Sequence, residues 1–152
     1  MPVIRNSVHI RCSAEEAFDY LSDLRNELEW NPDCQEMEKL TDGPLGVGTR
    51  FRAKWKGSPY TEVETLSYER PRSWKMHASG PLEINFSARL SAAADGTTLN
   101  VDFEPIPHGW LKLLSPFILL GFRRAERANM IRVREALEGK SSAQSMREAS
   151  GL

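Results

Sequence analysis

A chain of 152 residues with 40 % hydrophobic and 27 % charged side chains is long enough for one domain with a real core. A formal net charge of −1 excludes bulk electrostatic attraction to nucleic acid or to a membrane. Cys12 and Cys34 match no metal or redox spacing and read as two reduced thiols. Met1 to Ser13 is polar and alternating, unlike a signal peptide. The longest apolar run, within Trp110 to Phe122, contains Lys112 and Pro116 and is too short to cross a bilayer. These features predict a soluble, cytoplasmic protein with no stable membrane anchoring and no nucleic-acid partner.

In chain order, Val3 to Arg11 alternates, with Ile4, Val8 and Ile10 on one face, as a half-buried strand does. Ser13-Ala14-Glu15-Glu16 is a capping box opening a helix that buries Ala17, Phe18 and Leu21. Asn26 with Glu29 repeats the box and opens a second short helix, which holds Trp30 and stops at Asn31-Pro32. The period then changes to two. Strands are predicted over 35–40, 49–56, 60–69, 74–79, 82–92 and around 99–103, separated by glycine and proline turns. In Thr49 to Lys56 the alternation of Phe51, Ala53 and Trp55 with Arg50, Arg52, Lys54 and Lys56 is the clearest strand signal. Short links favour an antiparallel meander. Pro105 to Gly109 is expected to leave the sheet and cross to a long helix, with Ser115 as its N-cap and Pro116 in its first turn. From Phe122 to Leu137 that helix is amphipathic, with Asn129 in the middle of its apolar face. The tail, 140–152, is Ser-, Ala- and charge-rich without a period and is expected to be disordered.

The order is strand, two short helices, about six strands and one long helix. The chain resembles the START-like, or polyketide cyclase/dehydrase and lipid-transport, superfamily (SRPBCC, helix-grip fold). The resembling residues are the entry Ser13 to Asp23, the Trp30-Asn31-Pro32 stop, Gly48-Thr49-Arg50-Phe51, the Glu69-Arg70-Pro71 corner and the Arg-rich last helix. The resemblance implies an α+β domain over 1–139, a curved antiparallel sheet of about seven strands wrapped around the C-terminal helix. It also implies a deep, mostly apolar cavity between them.

With the sheet gripped in that way, its inner face would present Phe51, Ala53, Trp55, Trp74, Met76, Ile84, Phe86, Leu99, Val101 and Phe103. Trp30, Phe122, Asn129 and Val133 would come from the helices. These residues either line a cavity or simply pack on one another. Glu64, on a strand with Glu62, and His108, on a loop at one end of the sheet, are the two catalytic candidates. For Glu64 the preferred phase puts Val63 and Thr65 inward and leaves both glutamates in water. No spacing offers a zinc site, a nucleophile elbow or a phosphate loop, so neither metal nor cofactor is expected. The stretch from Trp110 to Leu120 is apolar all around any helix drawn through it, with Trp110, Leu114, Phe117 and Leu120 as entrance or contact residues. Such a side needs cover from the 110–114 turn folding back, a second subunit, or a membrane surface during ligand exchange. Self-coverage with a role as cavity entrance is the first expectation, and a homodimer the next. The reading is a carrier or sensor of a hydrophobic small molecule such as a lipid, polyketide or aromatic compound. An aromatase/cyclase- or dehydratase-type enzyme and a protein-interaction module using the 110–120 patch are the alternatives.

Overall fold

A computed structural model describes residues 3–151. Strand β1 (Ile4–Ile10) leads into α1 (Ala14–Leu21), a 3-10 turn (Leu24–Asn26) and the single-turn helix α2 (Glu27–Trp30). Six strands follow: β2 (Cys34–Lys39), β3 (Arg50–Trp55), β4 (Thr61–Glu69), β5 (Ser73–Ala78), β6 (Leu82–Ala93) and β7 (Gly96–Pro107). A 3-10 turn (Gly109–Leu114) then runs into the long helix α3 (Ser115–Ser150). The strands form one antiparallel seven-stranded sheet in the order β1-β7-β6-β5-β4-β3-β2. This is the helix-grip α+β architecture, and among the described residues no helix is long and apolar enough to cross a membrane.

Local chemistry explains most boundaries. Ser13 caps α1, its hydroxyl accepting from the Glu16 amide at 3.1 Å. Asn26 does not cap α2; its side-chain amide donates to the Tyr20 carbonyl at 2.8 Å, tying the two helices together. Ser115 does not cap α3 either. The preceding 3-10 turn already supplies the entry, and the Ser115 hydroxyl donates back to the Lys112 carbonyl at 2.7 Å. The basic face of β3 is neutralised across the sheet, Arg50 to Glu62 at 3.1 Å and Arg52 to Glu38 at 2.8 Å.

Three elements depart from the sequence reading. The register of β4 against β5 shifts between Thr65 and Ser67. Val63 and Thr65 point inward as expected, but the bulge at Leu66 brings Tyr68 inward too, out of phase with Tyr60. Strand β7 continues through Pro105 and Pro107, where the sequence predicts a crossover. Beyond Phe103, among the described residues, it is paired with β6 alone. The His108 amide donates to the Pro81 carbonyl, so even positions face β6 and both prolines turn their missing N–H groups to the other side. Finally, α3 does not end near Gly139 but runs on to Ser150. Residues 142–150 are exposed, and Gln144 donates to Glu148 one turn on at 3.2 Å.

The β6–β7 hairpin closes against β1 through Gly96, which has φ +156°. A Cβ there would lie 2.2 Å from the Ile10 carbonyl oxygen. Gly96→Ala is therefore expected to cost about 2–4 kcal/mol, read as a fall in the urea midpoint. An unchanged midpoint would mean that the hairpin does not approach β1 so closely.

Candidate functional site

The inner face of the sheet divides into two halves. At the end covered by Val133 and Leu137 of α3 the space is filled: Ile10, Phe18, Leu99 and Val101 are sealed there. The sealed set also contains Phe51, Ala53, Trp74 and Met76, so these predicted cavity residues, with Leu99, Val101 and Val133, pack as core. Phe18 anchors that half, standing edge-on to Tyr68 at 5.0 Å and to Trp74 at 5.2 Å between ring centroids. At the other end Trp30, Trp55, Ile84, Phe86, Phe103 and Phe122 are only half-buried, although Trp30, Trp55, Ile84 and Phe86 pack against the core. Phe103 and Phe122 meet at 5.0 Å across the sheet–helix gap, and Phe86 stands 6.3 Å from Trp74. The half-buried apolar residues therefore gather at this end, beside buried neighbours that include Ile4, Ala78 and Pro105, while the rest of the inner face is sealed.

Beside these half-buried residues stands a polar group of which the sequence reading named only Asn129. The Trp55 indole N–H donates to Glu27 Oε1 at 2.8 Å, and the Asn31 side-chain amide donates to the same oxygen at 2.7 Å. Burial pushes the Glu27 carboxyl above its ordinary range, and these two bonds hold it back. Glu126, from α3, is pushed up from 4.5 to about 7, first by burial and then by the Glu27 charge, with a hydrogen bond from Asn129 opposing. Both glutamates are half-buried as whole residues, and it is their carboxyl ends that lie deep. Asn129 is itself buried, and its Oδ1 accepts from Arg132 at 3.1 Å. Two carboxyl groups held out of water and close enough to feel one another accommodate one charge far more readily than two.

Signals for these residues differ. Phe122, Glu126, Asn129 and Val133 follow at steps of four, three and four, so Glu126 lies on the apolar face of the helix and is legible there. Glu27 sits on a single helical turn, too short for any face to be read.

The two catalytic candidates lie elsewhere. Glu64 is exposed on the outer face, opposite Arg50 and His77 in the register. His108 is exposed, with its ring Nε2 2.8 Å from Glu83 Oε2, in a polar network that includes His77, Asn85 and Glu104. The entrance residues are not covered by their own turn: Trp110 and Phe117 are 70 % and 74 % exposed, because the 3-10 turn carries Trp110 outward with them. A wide, open recess of about 540 Å³ lies at the opposite end of the sheet, between the entry to α1 at residues 11–15 and the hairpin around Ala92 to Thr97. Burial pushes the Cys12 thiol up to about 11 and that of Cys34 to about 12, so both are protonated, unreactive groups.

The family model described as "Polyketide cyclase / dehydrase and lipid transport" matches residues 1–138. The chain belongs to that family. Among solved structures, this polyketide cyclase/dehydrase and lipid-transport family member is similar to TTHA0849 from Thermus thermophilus. The TM-score is 0.76 at 13 % identity, covering 92 % of this chain and 99 % of that one. It is also similar to the Zhui aromatase/cyclase from Streptomyces sp. R1128, with a TM-score of 0.71 at 13 % identity over 90 % and 93 % of the two chains. The di-domain ARO/CYC BexL from the BE-7585A biosynthetic pathway gives 0.73 at 15 % identity, over 90 % of this chain and 50 % of that one. Identities this low show a shared fold and nothing finer. No curated protein matches the family member by sequence.

Proposed function

We propose that this protein binds a hydrophobic small molecule carrying a hydroxyl or carbonyl group, lodged at the half-buried end between the sheet and α3. The observation that carries this reading is the contrast within one face: Trp55, Ile84, Phe86 and Phe103 turn inward yet stay half-buried, while their neighbours toward Val133 are sealed. Apolar walls would supply affinity, and a few fixed polar groups would orient the ligand. Glu27, Glu126 and Asn129 are such groups. The two free, buried thiols fit a reducing cytoplasm.

Native mass spectrometry of the protein as purified tests the reading, with a co-purifying hydrophobic compound as the expected result. Asn129→Leu is expected to keep or raise stability while weakening a hydroxyl-bearing ligand about tenfold by calorimetry. Equal affinity of variant and parent would remove Asn129 from the site.

Glu126 favours a second reading, a dehydratase- or cyclase-type enzyme. A carboxyl poised near neutral pH beside a second one can both give and take a proton. Loss of water from a β-hydroxyketone probe, followed by mass spectrometry and abolished in Glu126→Gln with binding intact, would establish it over the carrier. An intact probe in the parent protein would leave the carrier.

A further inference from the structure

Between Gly109 and Arg127 the molecule presents an outward face that no neighbour covers. Leu113 is 83 % exposed, and Trp110, Leu114, Phe117 and Leu120 are exposed around it. Leu113, Phe117, Leu120, Arg124 and Arg127 succeed one another at steps of four, three, four and three, so they form a stripe turned away from the sheet. Apolar residues exposed singly are ordinary; a contiguous set of large ones marks a contact.

Charge decides what the contact meets. From Pro105 to Ala125 the chain has no Asp or Glu, whereas Lys112, Arg123 and Arg124 lie within it and Arg127 follows. Among the described residues none of these four cations forms an ion pair, whereas Arg5, Arg50, Arg52 and Arg89 of the strands do. A recess of about 230 Å³ opens beside the stripe, lined by Val3, Ile4, Arg5, Asn6, Arg123 and Arg127. Three arginines line that opening, so the recess offers cations to an anion. The chain-wide charge of −1 hides this local asymmetry. A second copy docked through the same face would set cation against cation, which opposes association. An anionic lipid surface supplies both complements, an apolar interior and acidic headgroups.

We propose that the Trp110–Arg127 face docks reversibly on an anionic phospholipid bilayer. Trp110, Leu113, Phe117 and Leu120 enter the boundary between headgroups and acyl chains. Arg123, Arg124 and Arg127 meet the lipid phosphates, one of them at the Asn6 recess. The chain does not span the membrane in this arrangement. Because the 3-10 turn leaves β7 next to the half-buried Ile84, docking also sets the proposed ligand site toward the bilayer, and this last consequence alone rests on the ligand-binding reading.

Co-sedimentation of the full chain with lipid vesicles tests the proposal without any ligand. The vesicles are phosphatidylcholine alone or phosphatidylcholine mixed with phosphatidylglycerol, each at low and high salt. Binding is expected to be about tenfold tighter to the mixed vesicles and to weaken with salt. The double variant Leu113→Ser with Phe117→Ser is expected to lose about tenfold or more on the mixed vesicles. Arg124→Gln with Arg127→Gln is expected to lose about fivefold per cation, with the preference for anionic lipid reduced. All four positions are exposed, so circular dichroism should show unaltered folds. Failure of the parent to bind mixed vesicles, or equal binding by parent and both variants, overturns the proposal. A dimer in light scattering that the Leu113/Phe117 variant converts to monomer, with no vesicle binding by the parent, also overturns it and assigns the face to a second copy.

Discussion

Glu126→Gln is expected to make the protein more stable above pH 7, by as much as about 3 kcal/mol, and to leave it unchanged near pH 4.5. The carboxyl of Glu126 titrates near 7 in the folded protein against an ordinary 4.5, because burial and then the Glu27 charge disfavour its ionised form. The sign follows from proton binding. Between these two values the folded state holds the proton that the unfolded state has released, so stability is lost as pH rises through the window. Above it the folded protein carries a buried, ionised carboxyl, and the amide removes that charge while keeping the shape. Urea unfolding from pH 4 to 9 measures the effect, with the slope in denaturant expected to stay the same. Parallel stability curves for the two proteins would show that Glu126 lies in water. A ligand that hydrogen-bonds the protonated acid would raise its titration point further and be held less tightly above pH 7.

Phe18→Ala is expected to destabilise the protein by about 3–5 kcal/mol, a large fraction of the roughly 5–15 kcal/mol that holds a domain of this kind together. Phe18 is fully buried and stands edge-on to two aromatic rings, Tyr68 and Trp74. Truncation leaves a cavity beneath α1, and the surrounding strands can close it only in part. Phe86→Ala, at the half-buried end, is expected to cost clearly less, about 1–2 kcal/mol, since part of that ring already touches solvent. Similar losses at both positions, in thermal or denaturant melts, would contradict the division of the interior into a sealed half and a half-buried one.

That division lies beyond the reach of the sequence. Alternation in β3 shows that Phe51, Ala53 and Trp55 share a face, but the first two are sealed and the third is not. Period identifies a face, whereas burial along that face depends on how the helix lies over it. The order of elements and the Ser13 cap are legible because they depend on local chemistry and spacing. The sequence ends β7 early because proline reads as a sheet breaker until its free side is known. The bulge at Leu66 leaves no local mark that distinguishes it from continuous alternation. Residues 140–150 have no apolar face, so the sequence ends α3 too soon, yet exposed last turns do not need such a face to be helical. Of the polar group, Glu126 stands in plain view on the helix face beside Asn129, while Glu27 needs the approach of α2 to β3 to become visible.

The paired prolines of β7 bear on how the molecule avoids its own kind. An antiparallel sheet is normally vulnerable along any strand left without a neighbour, since its idle donors and acceptors template a further strand. Among the described residues, the flank of β7 beyond Phe103 is such a place. Pro105 and Pro107 are themselves buried and present no donors on it, so an incoming strand would find nothing to accept from. That end of the sheet is thereby protected from gaining an extra strand, in crowded solution as well as during folding.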